Sequence, residues 1–307
     1  MSELRFDNRV AIVTGGGRGL GRSYALLLAS RGAKVVVNDL GSSLAGEGGD
    51  ASAAQEVVNE IKSAGGQAVA CVDSVATPEG GQAIVKSALD NYGQVDILIH
   101  SAGNVRRALL KEMTQETFRA VVDVHLLGGF NVVQPAFAAM CKGGYGRIVL
   151  TSSIGGLYGN QQVTPYSVSK AGLVGLSHVA AIEGAADGVK SNIIVPAAVT
   201  RMAEGLDTSQ YPPMDPELVA PTVAYLCHES CELSGEMLIS LAGRVARAYI
   251  AESKGVWREH WTIEDVAKNI DAIRNTDNPL IFPPFPTGFG EHLGYSFGLA
   301  NRKGKDA

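Results

Sequence analysis

From residue 9 to about residue 250, short apolar runs alternate with longer stretches whose apolar positions recur at helical spacing. The runs are RVAIVT, KVVVNDL, QAVACVD, VDILIHSAG, GRIVLTSS, SNIIVPAAVTRMAE and EMLISLA. They are continuously apolar rather than alternating, which is the pattern of strands covered on both faces of a parallel sheet. Between them lie SYALLLASRG, QEVVNEIKSAGG, EGGQAIVKSALDNYG, TQETFRAVVDVHLLGGFNVVQPAFAAMCKG, a stretch from Tyr166 through Leu173, Leu176 and Val179, and PTVAYLCHES. Regular alternation of strand and helix predicts an α/β fold with a doubly wound parallel sheet. No break in composition interrupts it, so residues 1–250 are expected to form a single domain.

Beyond residue 250 the pattern changes, and residues 251–307 are expected to be an extension packed on the core or on a partner subunit. TIEDVAKNIDAIRN predicts one helix, opened by Thr262 with Glu264 and Asp265 in its first turn. The Pro and Gly density of NPLIFPPFPTGFGEHLGYSFGLANRKGKDA predicts irregular structure, with Phe282, Phe285 and Phe289 as packing anchors.

Composition narrows the class. The chain has 307 residues, 46% hydrophobic and 19% charged, with a formal net charge of -5 and no Lys/Arg cluster. That leaves no electrostatic footprint for nucleic acid or anionic lipid as a partner. No apolar run is expected to approach membrane-spanning length. The scattered Cys71, Cys141, Cys227 and Cys231, and an N-terminus without a basic segment and apolar core, predict a reduced, cytoplasmic protein. The C-terminus, NRKGKDA, carries no SKL-type or ER-retention signal. Cys227 and Cys231 with His228 between them lack a second pair at ligand spacing, so they are read as a helix end and no metal is expected.

The first run ends directly in GGGRGLG. Strand, glycine turn and helix form an arrangement in which backbone N–H groups and the positive helix end receive a pyrophosphate, which makes the sheet Rossmann-type. Gly15, Gly19 and Gly21 permit the turn and the close approach of phosphates, with Arg18 and Leu20 between them. Asp39 lies about twenty residues further on, where a carboxylate accepts hydrogen bonds from the adenosine ribose and repels a 2′-phosphate. Arg18 pulls the other way, towards NADP, but the repulsion is the more direct effect and favours NAD.

Asp73, followed by Ser74 and Val75, ends the third run either as a partner of the adenine amino group or as a helix N-cap. Ser101, Ala102 and Gly103 end the fourth on small residues, as expected where backbone passes a cofactor. Pro196 starts a loop at the nicotinamide end that includes Val199. The insertion GSSLAGEGGDASAA is a surface loop or touches the adenine side, and residues 205–217 have the character of a substrate cover.

Tyr166 and Lys170, in YSVSK, share a helix face at i and i+4, with Ser153 upstream. A phenol titrates near about 10, and a neighbouring cation favours its ionised form. Such a tyrosine exchanges a proton with an alcohol or carbonyl oxygen while the serine hydroxyl holds that oxygen. Ser153 lacks a GxSxG elbow, which excludes the serine hydrolase reading.

TGGGRGLG, Asp39, the SAG strand end and the Ser153, Tyr166, Lys170 set resemble the short-chain dehydrogenases/reductases over residues 6 to about 245. The resemblance implies a seven-stranded sheet, an NAD-dependent oxidoreductase and a homodimer or homotetramer. It implies Tyr166 as acid/base, Lys170 on the nicotinamide ribose, and His125 where the family carries a relay asparagine. HSAG for the usual NNAG and Pro196-Ala197 for PG are departures. With DVHLLGGF, VNDLGSS, LYGN, AIEGA and PAAVTRM they resemble a subgroup, the (3R)-hydroxyacyl-CoA dehydrogenase units of peroxisomal multifunctional enzymes and their bacterial relatives. That implies an acyl-CoA or steroid-like alcohol as substrate. The rivals are a hydroxysteroid dehydrogenase, an NADP-dependent 3-ketoacyl reductase, and a nucleotide-binding interaction protein without catalysis.

Overall fold

The computed structural model describes residues 3–201, 210–284 and 286–301. The chain divides between Arg247 and Ala248 into two compact units.

The first unit is a sheet with a layer of helices on each face. Its strands are β1 (Val10–Thr14), β2 (Lys34–Asn38), β3 (Gln67–Cys71), β4 (Ile97–His100), β5 (Gly146–Thr151), β6 (Val189–Ala197), β7 (Met237–Leu241) and β8 (Arg244–Ala248). They lie in the order β3-β2-β1-β4-β5-β6-β7-β8. All pairings from β3 to β7 are parallel, and Thr14 sits level with both Asn38 and His100. The helices are α1 (Gly19–Ser30), α2 (Ser52–Ser63), α3 (Pro78–Tyr92), α4 (Gln115–Val122), α5 (Gly128–Gly143), α6 (Ile154–Tyr158), α7 (Thr164–Glu183) and α8 (Ala220–Cys227). On one face Val13, Val37 and Ile99 of the sheet bury against Tyr24 and Leu28 of α1, Val57 and Ile61 of α2, and Leu226 of α8. Each such side chain contributes about 1.5–3 kcal/mol when taken from water, so this layer fixes where the strand ends lie.

β8 corrects the expectation of seven strands. It follows β7 through Ala242 and Gly243, which both have positive φ, 48° and 79°. Two central residues of that hand form the primed turn that matches strand twist. A connection this short makes β7 and β8 antiparallel, because parallel neighbours need a crossover.

Local capping follows the sequence closely. Thr77 accepts from Gly80 N to start α3, Pro78 occupies the first turn, and left-handed Gly93 ends it. Thr77, not Asp73, is therefore the N-cap. Between α4 and α5, Asp123–Leu127 forms a π turn, so Gln115–Gly143 is one continuous helical run of 29 residues. This run is long and apolar enough to cross a membrane by length and composition alone, which corrects the expectation that no apolar run approaches that length. Val121, Val132, Val133, Ala136 and Met140 on its inner side are buried as in a core helix. Gly81 permits α3 and α5 to touch, since a Cβ there would lie 2.2 Å from Asn131 O.

The second unit holds α9 (Ile263–Lys268), α10 (Ile270–Ile273) and α11 (Gly288–Asn301). Thr262 and Asp265 form the capping box, and the helix expected over this stretch breaks at Asn269. α11 corrects the expectation of an irregular tail: the prolines stop at Pro286, and Glu291 N donates to Thr287 O to open the helix. Phe282 stacks edge-on against His292 and Tyr295, with ring centroids 5.2 and 6.2 Å apart. Phe289 is 80% exposed and anchors nothing, and Phe285 lies outside the described residues.

Candidate active site

Strand order reverses between β1 and β4, and ligands of doubly wound sheets bind outside the carboxyl ends of the strands at such a point. A cavity of ≈ 500 Å³ opens there. Gly15, with φ +66°, is pressed so close to the turn after β4 that a Cβ would stand 2.8 Å from Ala102 N. A Cβ on Gly21 would stand 2.1 Å from Gly15 O. Only glycine allows this folding of loop onto helix start. No side chain caps α1, so its first-turn N–H groups are left for another partner. Asp39 is held from both sides: Oδ2 accepts from Gly17 N at 2.9 Å and Oδ1 from Gly41 N at 2.7 Å. Asn38 fixes the neighbouring strand end by donating to Asp73 O at 2.9 Å.

On the opposite wall α7 begins at Thr164, with Pro165 in its first turn, and carries Tyr166 and Lys170 on one face. Ser153 caps the short α6, accepting from Gly155 N at 3.1 Å, and its hydroxyl acts to lower the Tyr166 phenol's pKa. Lys170 is 3% exposed; its Nζ donates to Thr151 O at 2.6 Å and lies 5.5 Å from the centre of the Tyr166 ring. Burial pushes this ammonium down from 10.5 to about 7. Burial also raises the Tyr166 phenol, against the opposing pull of the Ser153 hydrogen bond. The expectation that the lysine draws the phenol downward is corrected: the phenol stands above its ordinary range, because its loss of water outweighs the Ser153 hydrogen bond.

The two histidines divide. His100 faces the core: Nδ1 meets Thr14 Oγ1 at 2.9 Å and Nε2 meets His125 O at 3.1 Å. A carbonyl only accepts, so Nε2 carries the proton and Nδ1 accepts from the threonine. Burial holds this imidazole down to about 4, so it stays neutral. His125 stands in the π turn with its ring edge-on to Tyr166, centroids 5.2 Å apart. Its Nε2 lies between Asn104 N, at 3.0 Å, and Asn104 O, at 2.8 Å. Either neutral tautomer therefore finds a partner. Nδ1 is buried without one, as are Asn104 Oδ1 and Thr151 Oγ1, and the three residues line the cavity. Burial and then the Lys170 charge push the imidazole well below its ordinary range. A Cβ on Gly103 would fall 2.3 Å from this ring.

Every residue expected to touch the cofactor lines the cavity except Val199, whose N–H bonds Met214 O at 2.7 Å. Ser153 adjoins the cavity through Tyr166. Sequence reasoning missed Asn104, Thr151 and Arg106, and left open whether the insertion reaches the site, which it does through Ser42, Leu44 and Gly46. Asn104 directly follows the SAG turn, and that adjacency was the signal available. The expected substrate cover at 205–217 falls partly outside the described residues. His228 bonds Ser230 Oγ and Arg5 O, within the helix end where it was expected. The glycine cradle and the unpartnered polar atoms fit a dinucleotide.

A doubly wound sheet, a glycine turn before α1 and a Ser, Tyr, Lys set define an oxidoreductase of the nicotinamide-dependent kind. The family model for short chain dehydrogenases matches residues 9–210, and the chain belongs to that family. It is 48% identical over 254 residues to peroxisomal multifunctional enzyme type 2 of Drosophila melanogaster, covering 82% of this chain and 42% of that protein. A short-chain type dehydrogenase/reductase of Mycobacterium tuberculosis is 42% identical over 85% of this chain and 92% of its own length. The solved full-length Drosophila enzyme superposes with a TM-score of 0.81 at 37% identity, over 97% of this chain and 50% of that one. The chain thus spans less than half the sequence of the fly relative. These comparisons overturn the expectation of a cytoplasmic protein, since similar proteins from fly, Dictyostelium, mouse and yeast are named peroxisomal.

Proposed function

We propose that this chain oxidises a (3R)-3-hydroxyacyl-CoA to the 3-ketoacyl-CoA, with NAD as the cofactor. The observation that carries the reading is the convergence of Tyr166, Lys170 and His125 with the glycine loop on one cavity. The likeness to the multifunctional enzymes supports the substrate class. Asp39 supports NAD, because a 2′-phosphate beside this carboxylate would meet a like charge.

When bound, the oxidised nicotinamide supplies the hydride acceptor and a positive charge that favours phenolate. The loop from Gly15 to Gly21 and the start of α1 would hold the pyrophosphate, and Asp39 the adenosine ribose. Tyr166 Oη takes the alcohol proton as the carbinol carbon gives up its hydride and the carbonyl forms. Ser153 holds the substrate oxygen, Lys170 Nζ stands ready for the nicotinamide ribose, and His125 Nδ1 offers a hydrogen bond to a water that relays the proton outward. We also infer a homodimer or homotetramer, supported by the exposed apolar side chains Phe130, Val179 and Ile182 on α5 and α7. A monomeric mass by sedimentation overturns that inference.

Tyr166→Phe tests the assignment: turnover is expected to vanish while dinucleotide binding stays nearly intact, and loss of both sinks it. Oxidation of R and S 3-hydroxyacyl-CoA with NAD or NADP tests the substrate. Turnover of the R isomer alone with NAD is expected; turnover of neither, with NAD still bound, moves the substrate to a hydroxysteroid or another alcohol.

A further inference from the structure

The insertion after β2 is a closed loop. At its neck Asp50 N donates to Leu40 O at 3.1 Å, and Gly41 is so tightly placed that a Cβ would lie 1.9 Å from Asp50 O. Inside it Ser43 N donates to Glu47 O at 2.8 Å, Gly46 N to Ser43 O at 3.0 Å, and Glu47 N to Ser43 Oγ at 3.1 Å. A surface loop with adjacent ends and its own internal bonds is a compact unit, of the kind that often carries function.

The tip of this loop is fastened to the segment after β4. Val105 N donates to Leu44 O at 3.0 Å, and Arg106 Nε donates to Ala45 O at 3.0 Å. The same guanidinium reaches Glu47 Oε1 at 3.4 Å. Gly46, with φ +84°, lies against the catalytic wall, where a Cβ would stand 2.4 Å from Asn104 Nδ2. The loop therefore starts beside Asp39 and ends on the residue that holds His125, with Leu44 and Gly46 facing the cavity between.

We propose that residues 41–50 are a strap that closes over the bound dinucleotide, that Arg106 is its fastening, and that the cofactor leaves only when the strap opens. This rests on reading the cavity as the dinucleotide site. Arg106 is only 24% exposed, so its charged hydrogen bond to a carbonyl is partly shielded from water. A bond of that kind shifts an open–closed equilibrium by at least roughly tenfold. Gly46→Val disrupts the closure without touching the charge, since the position has a positive φ and no room for a side chain.

The test is stopped-flow release of NADH from wild type, Arg106→Ala and Gly46→Val, followed by its fluorescence, with hydrogen exchange at Val105 and residues 42–49. Release roughly tenfold faster in both variants, with faster exchange at the Val105 amide, is expected. Unchanged release overturns the proposal, whether or not exchange rises, because the loop would then open without gating the cofactor. If the wild type binds neither NADH nor NADPH, the cofactor reading has failed; unchanged exchange at Val105 in Arg106→Ala then overturns the fastening as well.

Discussion

Lys170→Met is expected to abolish turnover and to make the folded protein more stable. Holding a lysine at about 7 instead of 10.5 costs the folded state about 5 kcal/mol at low pH, at about 1.4 kcal/mol per pH unit. Methionine has a similar length and no charge to desolvate. It leaves Thr151 O without its donor, a loss of about 1–3 kcal/mol. The net expectation is a gain of about 2–4 kcal/mol at pH 6. The sign follows from proton counting: between pH 7 and 10.5 the unfolded chain holds the lysine proton and the folded chain does not, so wild-type stability rises with pH across that window. Below about 7 the penalty is complete. The variant lacks this dependence, so its advantage should be largest at pH 6 and shrink by about 1.4 kcal/mol per unit above pH 7. His100 and His125, depressed by burial and then by the Lys170 charge, weaken both proteins as pH falls through the ordinary histidine range, the variant less so because it lacks that charge. Urea unfolding of both proteins from pH 6 to pH 9 measures this directly. A variant no more stable than wild type, with a difference that stays flat over that range, would refute the reasoning and return Lys170 to an ordinary ammonium.

His125→Leu removes the one unpartnered ring nitrogen beside Tyr166 and is expected to lower kcat by about 10²–10⁴, whereas His125→Asn, which still donates and accepts, should stay within about tenfold; steady-state kinetics with dinucleotide binding as the control separates them. Asp39→Ala should raise the ratio of NADP to NAD use by roughly tenfold or more, read from kcat/KM with each cofactor, and an unchanged ratio removes the carboxylate from cofactor choice. Thr77→Ala deletes the cap of α3 and should cost about 1 kcal/mol in urea unfolding; no change would show that Pro78 and Gly93 suffice to define that helix.

The sheet was legible because its strands are buried on both faces and so appear as unbroken apolar runs. β8 was not: RVARA mixes arginines with exposed Val245, as an edge strand does, and its turn places Ala242 at a positive φ that the sequence AG does not announce. The glycine loop, Asp39 and YSVSK were legible because their chemistry is local. His100 was harder. Whether it faces a cofactor or the core depends on its register opposite Thr14, a pairing between strands 86 residues apart. The direction of the Tyr166 shift was missed for the same kind of reason, since the spacing to Lys170 reports proximity and says nothing of burial.

That burial changes how the pair works. At pH 7 a lysine near about 7 is close to half charged, and Tyr166, raised by burial, is a neutral phenol. Lys170 alone therefore does not make the base that alcohol oxidation needs. A positive charge beside both groups would favour phenolate and disfavour ammonium, so on the proposed reading an oxidised nicotinamide would both prepare Tyr166 as a base and lower the charge on Lys170. On the same proposal, beside an uncharged reduced nicotinamide the tyrosine would keep its proton and could act as the acid that ketone reduction requires. On the proposed reading one tyrosine would serve both directions, with the charge of the bound cofactor biasing its protonation.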